Sequence, residues 1–311
     1  MFIVFFQEKP IPIFGKTFGD FIPLRPVYAY LQKENAIQLI SQALLEDVGD
    51  GDHTSLASVP QEITHSAHLL VKEDGVLAGV EAAQWVCEVV DKDVVFETLL
   101  PDGDFVKEGD VAFVLKGNSH SILKAERLLL NIMQRMSGIA TFTFFLAKKI
   151  AHTKAKLLDT RKTTPNFRLF EKWAVKIGGG GNHRYGLFDM ILLKDNHIDV
   201  AGGVRNALLN TKAYLSSTGK QLDVEIEVRT LTELEQVLQI GGVKRVMFDN
   251  MSLNDIDKAV EMVGGKIETE ISGGVTEENI VLFAETGVDY ISVGKLTHSI
   301  KSLDMSLKAF G

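Results

Sequence analysis

"KRVMFDNMSLNDIDKAVEMVGGKIETEISGG", residues 244–274, reads as strand, helix and strand in one short span. The β-rich runs "KRVMFD" and "KIETEI" flank a helical stretch, "LNDIDKAVEMVGG", and Gly264 stands where a helix C-cap belongs. The same rhythm extends to both sides. "AKLLD", "MILLK", "DVEIEV" and "DYISVG" alternate with "LTELEQVLQIGG" and "TEENIVLFAETG", which close on Gly241 and Gly287. The later units repeat about every twenty residues, short for an open doubly wound sheet and comfortable for the tight βα units of a barrel. Six strands are read in this way, with "AVKIG" (174–178) as a candidate seventh.

Polar residues gather at one end of each run. Arg161 and Lys162 follow "AKLLD"; Lys194, Asp195 and Asn196 follow "MILL"; Glu227 and Arg229 close "DVEIEV" and its successor; Asp249 and Asn250 end "KRVMFDN". The last two strands end in Ser272-Gly273-Gly274 and Gly294. Active sites of α/β barrels are built at the C-terminal ends of the strands, so these residues should converge. Cations on the early strands, acids on the middle ones and glycines on the last exceed what polar loops alone explain. The glycines suit a phosphate bound through backbone N–H groups, and Glu227 with Asp249 suits Mg²⁺ held by two carboxylates plus substrate oxygens.

The chain as a whole bounds this reading. It has 311 residues, 45% of them hydrophobic, and a net charge of −8. That acidity argues against nucleic acid as the main partner. Between Arg161 and His197, however, seven basic residues face three acidic ones, a local excess that suits a small polyanion. The glycine run 178–181 fits neither a Walker loop nor GxGxxG. The single Cys87 excludes an intramolecular disulfide and fits a reducing compartment, the cytoplasm. No apolar run is long enough for a membrane helix, and the start of the chain makes a poor signal peptide.

Residues 1–34, with four prolines by Pro26, read as an irregular N-terminal extension. Residues 35–150 mix a helix, "AIQLISQALLEDV", with alternating strands punctuated by Asp-Gly pairs, then a long helical run from about Ile122 that is checked at Ser137-Gly138. This half reads as an α+β domain.

Several of these segments together resemble the quinolinate phosphoribosyltransferase family, also called carboxylating nicotinate-nucleotide pyrophosphorylases. They are "EDVGDGDHTS" (46–55), "AERLLLNIMQRMSGIAT" (125–141), "DTRKTTPNFR" (159–168), "EKWAVKIGGGGNHRYGLFDMILLKDNHI" (171–198), "EIEV", "MFDN", "EISGGV" and "ISVGKLTHS". The departures are Asn166 where glycine is usual, a one-residue insertion at Gly242, and residues 1–34. The resemblance implies an N-terminal α+β sandwich domain followed by an incomplete, seven-stranded α/β barrel over 151–297. It also implies a C-terminal helix over 298–311 returning to the first domain, and a homodimer whose active sites are shared between subunits.

It implies a reaction as well: transfer of phosphoribosyl from phosphoribosyl pyrophosphate to quinolinate with decarboxylation, giving nicotinate mononucleotide for NAD biosynthesis. On that pattern Arg161, His183, Arg184 and the partner's Arg127 grip the quinolinate carboxylates. Lys162, Lys194, Glu227 and Asp249, with Mg²⁺, hold ribose and pyrophosphate. Ser272, Gly273, Gly274, Gly294 and His298 cradle the 5-phosphate, while Asn196 and His197 either act or brace the Lys194 loop. The alternatives are a molybdenum-transport-locus homologue with an uncertain reaction and a non-catalytic anion-binding protein.

Overall fold

Alternation and capping set the first domain. In the computed structural model, which describes residues 31–310, α1 (Lys33–Val48) precedes α2 (His53–Ser58), whose N-cap Asp52 accepts a hydrogen bond from the Ser55 N–H. The expected extension at residues 1–34 lies outside the described residues up to 30; α1 begins at Lys33. β1 (Thr64–Val71) alternates, burying Ala67, Leu69 and Val71 on one face. β2 (Gly75–Val76), α3 (Val80–Val90), β3 (Val95–Thr98), β4 (Phe105–Val106) and β5 (Val111–Asn118) follow.

The long run from Ile122 belongs to one unbroken helix, α4 (Ser119–Lys149), rather than a helix checked at Ser137-Gly138. Gly138 serves close approach instead: a Cβ there would stand 2.3 Å from the Lys301 carbonyl oxygen. The chain crosses α4 at that point on its way home. The segment 298–311 was expected as a helix; beyond a short turn at its start it is a strand. The Leu303 N–H donates to Gln134 O, and the chain then pairs antiparallel with β1 as the edge strand Met305–Phe310. Alternating burial of Met305 and Leu307 against β1 explains the strand.

The barrel begins with β6 (Lys156–Leu158) and α5 (Arg168–Ile177), then β7 (Ile191–Leu193), α6 (Asp195–Ala201) and α7 (Val204–Thr218). Three regular units follow: β8 (Val224–Val228) with α8 (Leu231–Ile240), β9 (Arg245–Asp249) with α9 (Leu253–Val263), and β10 (Glu268–Ser272) with α10 (Ile280–Glu285). β11 (Tyr290–Ser292) and α11 (Lys295–His298) complete it, and the returning strand Met305–Phe310 is β12. Thr230 caps α8 through the Glu233 N–H and Ser252 caps α9 through the Asp255 N–H, while Gly241 and Gly264 end those helices.

All six barrel strands are parallel, in the order β6-β11-β10-β9-β8-β7. "AVKIG" is not the seventh: it is the end of α5, where Ala174 and Val175 are buried together with Leu169, Phe170 and Trp173. A short apolar run of that kind does not distinguish helix from strand by its pattern alone. The remaining stave is a single parallel bridge from Leu158 to Gly181, and the wall is open between it and β7. Trp85 of α3 stacks on Trp173 of α5 at 5.4 Å, joining the two halves.

Candidate active site

Strand alternation aims every second side chain into the barrel, so Glu227, Asp249, Ser272 and Gly294 form one layer at the C-terminal end of β8 to β11. Glu227 is 5% exposed, and Lys194 from the β7 end forms an ion pair with it. The Asp195 N–H donates to the other Glu227 oxygen at 3.3 Å. His197 Nδ1 accepts the Lys194 N–H at 2.9 Å, so His197 braces the Lys194 loop. Asn196 is exposed, and its N–H donates to Asp195 Oδ1. Arg229 is drawn away to the surface, where it bonds Asp199 and Glu233.

Asp249 accepts the Asn250 amide at 3.0 Å, and Asn250 in turn lies against Gly273. Gly273 has a φ of +89°, and a Cβ on it would stand 2.2 Å from Asn250 Oδ1. Only glycine leaves this loop open. Lys162 runs past Gly294 with His298 on the other side: a Cβ at Gly294 would be 3.1 Å from each side chain. The Thr297 hydroxyl donates to Lys162 O at 2.8 Å, fixing the two loops together.

Arg161 is exposed, beside the half-buried Arg184. Arg184 Nη1 donates to Met190 O at 3.1 Å, while its buried Nε has no hydrogen-bond partner. Burial, and next the charge of Arg161, hold Arg184 below the ordinary arginine range. Arg168 ties their loops together, donating to Thr163 Oγ1, Tyr185 O and Arg161 O. Asn166, in the turn before it, has a φ of +59°, a conformation that asparagine tolerates better than most residues and that suits the glycine usual there.

Beneath this surface lie polar residues that the sequence reading did not single out. Lys172 and Asp159, both without solvent exposure, form an ion pair, and Asp159 also accepts the Asn182 amide and the His183 N–H. Lys172, counted in the local basic excess, is therefore not a surface cation. Glu225, Glu270 and Ser292 lie one alternation below Glu227, Ser272 and Gly294, and Arg245 lies two below Asp249, in a deeper part of the barrel. Arg245 donates to Glu268 and Glu270, and Ser292 donates to Glu270. Burial pushes both Glu225 and Glu270 up to about 7. The signal was present: "DVEIEV" places Glu225 on the same strand face as Glu227.

His183, expected at a substrate carboxylate, is buried above that deeper layer. A cavity of about 410 Å³, which His183, Arg184 and Arg245 help to line, opens beside it toward the N-terminal end of the strands. Arg127 is exposed on α4 and has no partner among the described residues. The structure thus places Arg161, Lys162, Lys194, Glu227, Asp249, Ser272, Gly273, Gly274, Gly294 and His298 at or just beyond the C-terminal ends of the barrel strands, His183 and Arg184 beside the cavity, and Arg127 on the first domain.

Comparison with known proteins bears on the family and the fold. Family models described as the N-terminal and C-terminal domains of quinolinate phosphoribosyl transferase match residues 52–137 and 139–308. The chain is 47% identical over 285 residues to the chloroplastic nicotinate-nucleotide pyrophosphorylase [carboxylating] of Arabidopsis thaliana, covering 87% of this chain and 81% of that one. It is 46% identical over 301 residues to the mitochondrial quinolinate phosphoribosyltransferase [decarboxylating] 2a of Nicotiana tabacum, with coverage of 92% and 84%. The solved nicotinate-nucleotide pyrophosphorylase of Francisella tularensis superposes with a TM-score of 0.83 at 42% identity, over 90% of this chain and 98% of that one.

Proposed function

This chain belongs to the quinolinate phosphoribosyltransferase family, and we infer from that premise that it joins quinolinate to the phosphoribosyl group of phosphoribosyl pyrophosphate. Carbon dioxide and pyrophosphate leave, and nicotinate mononucleotide is formed for NAD biosynthesis. The observation that carries the reading is the half-buried Arg184, its Nε unpartnered, which feels the charge of Arg161. Two adjacent guanidiniums call for a ligand with more than one negative charge, and quinolinate is a pyridine dicarboxylate.

Arg161 and Arg184 hold the two carboxylates, with His183 in the same constellation and Arg127 reaching in from the partner of a homodimer. Lys162 and Lys194 meet the phosphates and ribose, and the Ser272-Gly273-Gly274 loop with Gly294 and His298 takes the 5-phosphate. Glu227 and Asp249 are the residues that would hold Mg²⁺. They fit it: two carboxylates on adjacent strands, one already balanced by Lys194, leave room for substrate oxygens. When bound, the ion would offset charge on the departing pyrophosphate.

Attack of the pyridine nitrogen on the ribose carbon forms one C–N bond and breaks the bond to pyrophosphate. Positive charge that develops on the ribose is stabilised by the fixed carboxylates of Glu227 and Asp249. The resulting pyridinium stabilises the electron pair left on the ring carbon when the adjacent carboxylate departs as carbon dioxide, and that carbon then takes a proton from water to give nicotinate mononucleotide. No protein nucleophile is needed, and positioning supplies much of the rate.

A non-catalytic anion binder would have no use for the acid pair opposite Lys162 and Lys194, and relatives named as carboxylating or decarboxylating enzymes do not favour a molybdenum-locus reaction. Among the described residues no helix is long and apolar enough to cross a membrane. A single buried cysteine, Cys87, fits a reducing compartment such as the cytoplasm, whereas the plant relatives are named chloroplastic or mitochondrial. Incubation with quinolinate, phosphoribosyl pyrophosphate and Mg²⁺ tests the function: equal yields of carbon dioxide and nicotinate mononucleotide are expected, and their absence would refute it.

A further inference from the structure

We propose that Arg135 of α4 is a positioning residue for the phosphoribosyl pyrophosphate half of the site: its guanidinium clamps the loop that carries Lys162 to the turn that carries His298, and it acts through both. The proposal rests on the assignment of Lys162 and His298 to the phosphate side made above.

The guanidinium serves three segments of the barrel at once. Nε and Nη2 donate to Glu171 Oε1 at 3.1 and 2.9 Å, Nη1 donates to Ile300 O at 3.2 Å, and Nη2 also donates to Thr297 O. Glu171 has no solvent exposure, and its remaining capacity goes to Thr164: Oε2 accepts the Thr164 N–H at 3.1 Å and Oε1 accepts the Thr164 hydroxyl at 2.9 Å. Thr164 stands two residues after Lys162. On the other side Thr297, whose carbonyl Arg135 holds, donates its hydroxyl to Lys162 O at 2.8 Å. His298 is the next residue, and its N–H donates to Gly294 O at 3.2 Å. The Lys162 and His298 segments are therefore joined twice, once directly and once through Arg135 and Glu171.

Local structure explains why this arginine can reach. Gly138 lies three positions on, along the same helix face, and lets the chain at Lys301 cross tightly against α4. α11 has only four residues, Lys295–His298, so the carbonyl of Thr297 near its end has no donor within the helix, and Arg135 supplies one. Lysine could not replace it, because its donors radiate from one point, whereas the guanidinium fork spans a carboxylate and two carbonyls.

The quinolinate side has anchors of its own. Arg168 holds Arg161 O and Thr163 Oγ1, and Met190 O holds Arg184 Nη1. Loss of the Arg135 clamp should therefore fall on one substrate. A tie that merely held the two domains together would cost stability and impair both substrates alike.

Arg135→Ala would leave the buried Glu171 carboxylate without its counter-charge, so two milder variants make the test. Arg135→Lys keeps the charge and loses the fork. Arg135→Met with Glu171→Gln removes both charges and keeps an acceptor for Thr164. In each, the KM for phosphoribosyl pyrophosphate should rise about tenfold while the quinolinate KM stays within about threefold. An unmoved phosphoribosyl pyrophosphate KM in both variants, or an equal rise in the two KM values, would overturn the proposal. Hydrogen exchange of the whole protein without either substrate gives a second readout. Amides of residues 162–164 and 296–300 should exchange about tenfold faster in Arg135→Lys, with those of residues 183–191 unchanged. Unchanged exchange in both loops would also overturn it. Failure of the parent protein to turn over its two substrates would sink the functional reading, while exchange, which needs neither, still decides whether Arg135 clamps the loops.

Discussion

The Lys172 ammonium meets the Asp159 carboxylate 2.5 Å away at the end of β6, and neither side chain is exposed to solvent. The pair ties α5 to the loop that carries Asn182, His183 and Arg184. Lys172→Met should destabilise the protein by about 3–5 kcal/mol, because it strands a buried carboxylate. Urea unfolding measures this. Lys172→Met combined with Asp159→Leu should recover part of that stability but leave the quinolinate KM raised, since the loop anchor is gone. Full recovery of both would make the pair merely structural.

Glu227→Gln and Asp249→Asn should each impair use of phosphoribosyl pyrophosphate more than binding of quinolinate, because both carboxylates stand on the ribose and metal side of the mouth. Steady-state kinetics at varied Mg²⁺ check it. Unchanged kinetics with both acids neutralised would remove them from the reaction.

Nicotinate, which lacks the second carboxylate, should be a very poor substrate, by a factor on the order of 10⁴, since it leaves one guanidinium of the Arg161 and Arg184 pair unpaired in a partly buried site. Competition between the two acids at equal concentration measures the ratio. Comparable turnover would contradict the pocket described.

The barrel was legible because its units are local. Each of "KRVMFD", "DVEIEV" and "KIETEI" is a strand with its polar end at its own last residues, and a helix-closing glycine follows the first two within about fifteen residues. The residues at the mouth were legible for the same reason. What depends on distant partners was not: "AVKIG" is helical because α5 packs against α4, and residues 305–310 are extended because β1 offers an edge. The direction of His183 likewise depends on Glu225 and Glu270, which are 42 and 87 positions further along the chain.

The deeper layer should leave a pH signature. Burial, with the Glu225 carboxylate next, pushes Glu270 up to about 7, whereas an unfolded glutamate titrates near 4.5. Between those values the folded protein binds more protons than the unfolded chain, so this group's stabilising contribution is complete below 4.5 and is lost as pH rises through about 7. Glu270→Gln should flatten the fall in stability across that window, by at most about 1.4 kcal/mol per pH unit. Denaturation midpoints from pH 4.5 to 8 test it, and an unaltered slope would place the proton elsewhere.

Arg127 decides whether the site is shared. It is exposed and unpartnered among the described residues on α4, whereas Arg135 on the same helix reaches the barrel of its own chain through Glu171, Thr297 and Ile300. Eight residues separate them, about 12 Å along the helix, so Arg127 points to a destination other than that contact. If it enters the partner's barrel, Arg127→Ala and Lys162→Ala homodimers should both be nearly inactive, and mixing them should restore activity. In a mixed dimer one site carries both lesions and the other carries neither. Random exchange makes half of the dimers mixed, so about a quarter of the wild-type activity should return. No recovery, with subunit exchange shown independently by mass-labelled chains, would mean that Arg127 works within its own subunit or not at all.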